Sequence, residues 1–374
     1  MEQHEQDQHP THAERGTQAA AGQDRADMLC ERVRQALAER TPLHIVGGSS
    51  KTFYGRTIEG EAISTRDHRG IRHYDPVELV VSVRAGTPLA ELEAALDAEG
   101  QMLGCEPPHF GEGATVGGML ATGLSGPRRP WAGSVRDFVL GSRVITGEGK
   151  ELRFGGEVMK NVAGYDLSRL MAGAQGTLGL ATEVSFKVLP KPGAQASLRL
   201  DMSLDDALAR FAEWGRQPLP ITAAAWHDGA LYLRLEGGPS SVAATRERLG
   251  GDAPEDSFWT DLREHRLAFF DTEDTRSLWR LSLPNHTPRL ELDGETFYDW
   301  AGAQRWLRSE ASAEAIREAA ARVGGHATCY RACNQADIEP FTPLSPVLAK
   351  YHRQLKHQLD PQGIFNPGRL YAEL

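Results

Sequence analysis

The run GEGATVGGMLATGLSGPRRPWAGSVRDFVLG, residues 111–141, decides the fold class of this chain. Glycine, alanine, serine and threonine dominate its first half and leave little side-chain bulk around the backbone. Such a segment lets backbone N–H groups approach ligand oxygens closely, although a glycine-rich surface loop has the same composition. Two further small-residue loops, GGSSK at 47–51 and GAQGTLG at 173–179, adjoin apolar segments. Three such loops favour one extended ligand.

Two common nucleotide motifs do not match these loops. The dinucleotide fingerprint G-x-G-x-x-G fails because Val116 stands where its third glycine belongs. The Walker A pattern fails because Ser50 precedes Lys51. A simple Rossmann domain and a P-loop NTPase are therefore disfavoured.

Composition narrows the class of protein further. The 374 residues suffice for about two domains, and a net charge of −10 disfavours nucleic acid as the main partner. No apolar run matches a membrane span or a signal peptide, so we expect a cytoplasmic protein. The sparse cysteines indicate reduced thiols, and their spacing predicts no metal site: Cys30, Cys105, Cys329 and Cys333. Residues 1–26 are polar and predict a disordered tail.

Periodicity predicts an α+β chain in two parts, with a boundary near the Pro-Lys-Pro-Gly segment at 190–193. Before it we expect helices from 27 to 41, 88 to 99 and 165 to 172, and strands at 43–46, 79–83, 138–145, 151–154 and 181–189. Beyond it the order strand–helix–strand–strand–helix predicts an antiparallel sheet with helices on one face. In this second part we expect strands at 197–202, 222–226, 231–235, 278–283, 297–300 and 326–330. We expect its helices at 204–216, 241–249 and 313–322. A last helix is predicted at 346–359.

Four of these motifs together resemble the vanillyl-alcohol-oxidase (PCMH-type) FAD-binding family, which includes 2-hydroxyacid dehydrogenases. They are GGSSK at 47–51, ATVGG at 114–118, GTLG at 176–179 and IFNPG at 364–368. More narrowly, the chain looks like the FAD-binding subunits of bacterial glycolate oxidases, over nearly everything from Asp27 to Leu374. The resemblance implies an FAD domain at 27–192, a cap or docking domain at 193–331, and a segment at 332–374 that returns to the FAD domain.

The resemblance also implies which residues bind FAD. Residues 47–51 wrap the pyrophosphate, and the later loops lie against the flavin. Arg136 and Asp137 either contact the cofactor, pin their loop, or form an internal ion pair. The complete implied set is Gly47, Gly48, Ser49, Ser50, Lys51, Thr115, Gly117, Gly118, Ala121, Thr122, Ser125, Gly126, Gly133, Ser134, Arg136, Asp137, Gly173, Gly176, Thr177 and Asn366. The FAD is expected to be noncovalent, because Ser49 and Ser50 stand where covalent relatives carry histidine.

The catalytic set is less clear from the motifs. Tyr165, His227, His326 and Arg369 are the polar candidates, and each has an equally good structural interpretation. Metal-dependent relatives carry H-x-G-D-G-N, which His227-Asp228-Gly229 matches only in part, so we predict no metal.

The implied activity is oxidation of glycolate or a similar 2-hydroxy acid. Electrons then pass to an iron–sulfur subunit, within a complex that includes a second flavoprotein and associates peripherally with the inner face of the cell membrane. The alternatives are a self-sufficient flavin dehydrogenase and a non-catalytic assembly subunit. Trp300, Arg305 and Trp306 are candidate docking anchors, or else a buried cluster. Arg128 and Arg129 suggest an anion or partner site, or a solvated turn.

Overall fold

The computed structural model describes residues 22–156, 166–332 and 338–374, so the predicted tail lies mostly outside the described residues. The helices are α1 (Ala26–Glu39), α2 (Leu89–Ala98), α3 (Val116–Thr122), α4 (Arg129–Ala132), α5 (Val135–Phe138), α6 (Leu167–Leu170), α7 (Leu204–Trp214), α8 (Pro239–Leu249), α9 (Phe258–Arg263), α10 (Ala313–Arg322) and α11 (Pro346–Leu359). The strands before the predicted boundary are β1 (Leu43–Val46), β2 (Glu61–Ser64), β3 (Ile71–Asp75), β4 (Val80–Arg84), β5 (Gln101–Met102), β6 (Val139–Ile145), β7 (Glu151–Gly155), β8 (Leu180–Lys187) and β9 (Leu189–Pro190). Those beyond it are β10 (Ala194–Asp201), β11 (Ile221–His227), β12 (Ala230–Gly237), β13 (Ser277–Ser282), β14 (Glu295–Asp299), β15 (Gln304–Ser309) and β16 (His326–Arg331).

A five-stranded antiparallel sheet, in the order β3-β4-β8-β6-β7, forms the first half together with α2 and α3. The apolar strand at 79–83 is interior as predicted, since β4 pairs with β3 and β8 and its first four residues are buried. The three leucines of α2 are completely buried against this sheet. The sheet therefore gives the following loops a rigid base.

A smaller unit, made of α1 and the parallel pair β1-β2, lies beside that sheet. The C-terminal segment returns to it: the Leu43 amide donates to the Ile364 carbonyl over 2.7 Å, and the Asn366 amide donates to the Leu43 carbonyl over 3.0 Å. Ile364 and Phe365 are buried in the same core. The loop after β1 is thus held from both sides.

Beyond residue 193, seven strands form an antiparallel sheet in the order β10-β12-β11-β14-β15-β13-β16. One face packs against α7, α8 and α10. The other face carries aromatic side chains that pack against Tyr54 and Leu124 of the first half. The predicted antiparallel sheet is present and its three predicted helices lie on one face, whereas α9, which was not predicted, packs on the other.

Buried ion pairs also join the two halves. Arg128 pairs with Glu106 and with Glu236 of β12, and Arg234 donates to the same Glu106 over 2.8 Å. Arg128 is buried, so the solvated basic turn is wrong for this residue. Neighbouring Arg129 stacks over the Trp300 ring at 4.4 Å.

Most predicted elements are present, with ends shifted by a few residues. Strand β15 was missed, because its sequence QRWLRS carries two arginines that lie buried rather than in solvent. Their guanidinium groups are satisfied by backbone carbonyls such as Pro288 and Phe269. The prediction that Trp300, Arg305 and Trp306 are docking anchors is wrong, since all three side chains are buried. No helix in the described part of the chain is long and apolar enough to cross a membrane.

Candidate functional site

A groove of about 970 Å³ runs along the first half, where its glycine-rich loops meet the C-terminal segment. The 47–51 loop, the start of α3, the 173–179 loop and the residues around 366–369 all line it. These segments are far apart in sequence and meet because β1, α3 and the returning C terminus are packed side by side.

The loop after β1 presents free backbone donors to the groove. Within the described part of the chain, the amides of residues 48–52 donate no hydrogen bond. Ser49 has φ of 59°, a left-handed conformation that turns successive N–H groups to one side. Gly48 has no room for a side chain, since a Cβ there would lie 1.4 Å from the Gly113 carbonyl oxygen. This geometry suits a pyrophosphate.

Lys51 adds a buried positive charge at the end of this loop. Its Nζ donates to the His109 carbonyl over 3.0 Å and lies 5.8 Å from the centre of the Phe110 ring. Burial lowers the pKa of Lys51 to about 8, and the nearby Glu264 opposes that change. The sequence also allowed Lys51 to point into solvent, and that alternative is wrong because the side chain is buried.

The second wall is the N-terminal end of α3. Thr115 caps this helix by accepting from the Gly118 amide over 3.2 Å. Gly117 instead faces the sheet: its amide donates to the Ala85 carbonyl, and a Cβ there would lie 2.9 Å from the Ala85 Cβ. A Cβ on Gly118 would meet only Thr115 Oγ1, at 3.3 Å. The two adjacent glycines therefore serve different purposes.

Gln175, Asn366 and Arg369 form the third wall and bond to one another. Asn366 Oδ1 accepts from the Ile45 amide over 2.8 Å, and its Nδ2 donates to the Gln175 carbonyl over 2.7 Å. Arg369 Nε donates to Gln175 Oε1 over 3.0 Å, and its other nitrogens donate to carbonyls in the 52–56 segment. The Arg369 guanidinium thus holds the wall together. Gln175 was missed, although its loop had been selected.

The structure brings together only part of the predicted FAD set. Twelve of those residues line the groove: Gly47, Gly48, Ser49, Ser50, Lys51, Thr115, Gly117, Gly118, Ala121, Thr122, Gly176 and Asn366. Gly173 and Thr177 lie in the supporting loop, where Thr177 Oγ1 donates to the Ala174 carbonyl. Asp137 accepts from both the amide and the hydroxyl of Ser134, so it pins the loop that contains Gly133, while Arg136 is exposed. Ser125 and Gly126 line a second cavity.

The catalytic candidates are dispersed. Arg369 lies in the groove, whereas His227 is on β11, with its ring stacked at 5.1 Å over Phe297. His326 begins β16 and is exposed. Tyr165 lies outside the described residues. The described residues contain no cluster of three His, Cys, Asp or Glu side chains able to hold a metal.

The second cavity is a small chamber between the two halves. From the first half it is lined by Phe110 and residues 124–127, which directly follow α3. From the cap it is lined by His265, Arg280, Trp306 and Tyr330, among others. Sequence patterns gave no indication of this chamber, because its lining residues come from loops and strands distant in the chain.

The fold has counterparts among known proteins. A family model described as an FAD binding domain matches residues 19–155. The 4-ethylphenol oxidase from Gulosibacter chungangensis has the same fold, with a TM-score of 0.65 at 14% identity, over 94% of this chain and 88% of that one. An alkyldihydroxyacetonephosphate synthase gives a TM-score of 0.63 at 18% identity, over 91% of this chain and 75% of that one. The chain therefore shares its fold with these structures, and its first part matches an FAD binding domain.

Proteins with similar sequences identify the family within this fold. Glycolate oxidase subunit GlcE of Escherichia coli K12 is 57% identical over 351 residues, which are 94% of this chain and 99% of that protein. This chain belongs to the family of that subunit. A D-lactate dehydrogenase of Anaerostipes hadrus is 33% identical over 59% of this chain and 44% of its own length. Glycolate oxidase subunit GlcD of Bacillus subtilis is 33% identical over 42% of this chain and 34% of its own length.

Proposed function

We propose that this chain is the FAD-binding subunit of a multi-subunit oxidase that converts glycolate and related small 2-hydroxy acids to 2-oxo acids. The observation that carries the proposal is the groove, found in a chain that matches a glycolate oxidase subunit along almost its whole length. Its free loop amides, buried lysine and small-residue wall fit a dinucleotide with a pyrophosphate and a flat ring.

Each wall has a distinct role in this proposal. The amides of residues 48–52 hold the pyrophosphate, and Lys51 supplies a positive charge beside them. The small side chains at the start of α3 leave room for the flavin, while Asn366 and Arg369 keep the opposite wall in place. When bound, FAD supplies the acceptor for the hydride of the hydroxyl-bearing carbon. The hydroxyl proton leaves to a base, and the carbon–oxygen double bond forms.

The proposal includes partner subunits. Electrons leave through a second flavoprotein and a cysteine-rich iron–sulfur protein, in a complex on the cytoplasmic face of the membrane. The support is that the relative matched along its whole length is named as a subunit, as is the GlcD relative. The contact with those partners uses other residues than the anchors expected from sequence, because those anchors are buried.

The decisive experiment starts from the purified chain. We expect a yellow protein whose flavin absorbance is bleached once by glycolate without oxygen, and multiple turnovers only after the two partner subunits are added. Turnover of glycolate with a dye acceptor at full rate by a lone monomer would identify a self-sufficient dehydrogenase instead. A colourless protein that still assembles with the partners would identify an assembly subunit.

A further inference from the structure

The end of α11 contains a buried ion pair to which neither the sequence patterns nor the proposed function assigns a role. Lys356 and Asp360 lie one helical turn apart and are 8% and 1% exposed, and Lys356 Nζ lies 2.8 Å from Asp360 Oδ2. Moving two charges out of water costs free energy that their mutual attraction repays only in part, so a buried pair is weak evidence for stability. The role of this pair therefore depends on the groups that it holds.

Both charged groups are fully hydrogen-bonded. The three N–H donors of Lys356 Nζ have three acceptors, each at 2.8 Å, which are Asp360 Oδ2 and the carbonyl oxygens of Thr177 and Phe365. Asp360 Oδ1 accepts from the Ile364 amide over 3.1 Å, and Asp360 Oδ2 accepts from the Phe365 amide over 2.8 Å. The pair thus joins the end of α11 to a glycine-rich loop of the groove and to the returning C-terminal segment.

Both of these segments form walls of the groove. Gln175, two residues before Thr177, and Asn366, directly after Phe365, line the groove. Asn366 Nδ2 donates to the Gln175 carbonyl over 2.7 Å, which joins the two segments inside the groove. The Gln175 amide donates to the Ala121 carbonyl of α3 over 2.8 Å, so the same loop also supports the α3 wall. A displacement of the loop would therefore change two walls together.

The end of α11 is itself fixed on the main sheet. The Gly147 amide, in the turn between β6 and β7, donates to the Leu359 carbonyl over 2.9 Å, and a Cβ at Gly147 would lie 2.5 Å from Asp360 Cα. Leu355 and Leu359 pack against the core of that sheet. Because this end of the helix is fixed, the ion pair sets the position of the two segments relative to the sheet.

We propose that Lys356 and Asp360 are positioning residues for FAD, which hold the 173–179 loop and residues 364–366 at the separation that the cofactor needs. Neither side chain lines the groove, so both act through the segments that they hold. The inference rests on the proposed function, because it assigns these residues a role toward the FAD of that proposal. A groove whose walls are already in place binds its ligand more tightly, since binding then does not have to order them.

The test compares FAD affinity with stability in full-length chains. Lys356→Met retains the length of the side chain but leaves the Asp360 carboxylate buried without its cation, so we expect the Tm of the FAD-free chain to fall by roughly 6–20 °C. The double variant Lys356→Met/Asp360→Asn leaves no unpaired charge, and we expect part of that fall to be recovered. The control Lys350→Met removes an exposed lysine of the same helix and should match the parent in every measurement.

FAD affinity is measured by ultrafiltration of mixtures of FAD and protein. We expect binding at least about 10-fold weaker than in the parent for both the single and the double variant, because the Thr177 and Phe365 carbonyls lose their donor in each. Hydrogen exchange of the FAD-free chains locates the effect. In the double variant, the amides of residues 173–179 and 364–366 should lose protection while those of α2 keep it.

Two outcomes would overturn the positioning role. One is FAD affinity in the double variant that returns to the parent value along with the Tm, since the pair would then serve stability alone. The other is unchanged FAD affinity in Lys356→Met; if that variant does not fold, the double variant decides. A parent that binds FAD more tightly than the double variant, but is not reduced by glycolate, would support the positioning role and reject the proposed activity. Reduction by glycolate, with equal FAD affinity in the parent and the double variant, would do the reverse.

Discussion

Replacing Asn366 is expected to open the FAD groove, because this side chain joins two of its walls. Asn366 is 5% exposed, and it bonds both the Ile45 amide and the Gln175 carbonyl. Asn366→Gly removes both bonds and tolerates the native φ of 40° without strain. Each buried group left without a partner costs about 1–3 kcal/mol, so we expect a loss of about 3 kcal/mol in the free energy of unfolding.

The assay is thermal unfolding of the protein with and without FAD, together with FAD content after gel filtration. For a domain of this size, a loss of about 3 kcal/mol corresponds to a fall of roughly 6–12 °C in Tm. Asn366→Ala should fall further, since alanine is strained at this φ. Asn285→Ala, at an exposed position, is the control. If Asn366→Gly loses FAD while the FAD-free Tm is unchanged, Asn366 acts by direct contact with the cofactor, and the argument that it supports the walls is wrong.

Three further predictions concern the cofactor, the glycine pair and pH. FAD should be released intact by acid precipitation, because Ser49 stands where a covalent attachment would be; flavin that stays with the precipitate would contradict this. Gly118→Val should fold but lose FAD, whereas Gly117→Val should destabilise the domain through the clash with Ala85; circular dichroism melts and flavin absorbance separate the two effects. Because burial raises the pKa of Asp299 to about 7, its contribution to stability is complete below about pH 4 and is lost as the pH rises to 7. Asp299→Asn should therefore show a smaller loss of stability across that range in urea unfolding, and an unchanged slope would reject the assignment.

Local sequence was enough to predict the loops of the groove. Small residues at 47–51 and 114–118 are typical of a backbone that approaches a ligand or another segment closely, and three such loops together favoured a binding function. Most strands and helices were predicted for a similar reason, since the periodicity of apolar residues reports which face is buried. Strand β15 was not predicted, because Arg305 and Arg308 are buried against backbone carbonyls and the composition of the strand does not show this.

Tertiary structure decided what the loops form together. Gly117 and Gly118 both line the groove, and only the packing of α3 beside the end of β4 brings Gly117 against Ala85 as well. The chamber could not be predicted from the sequence either. Its residues Arg280, Trp306 and His265 come from two strands and a loop, and their spacing in the chain does not relate them. Their proximity follows from strand order and from the docking of the two halves, which depend on long-range contacts rather than on local periodicity. The sequence alone thus predicted the cofactor class, and the tertiary structure determined which residues line the groove.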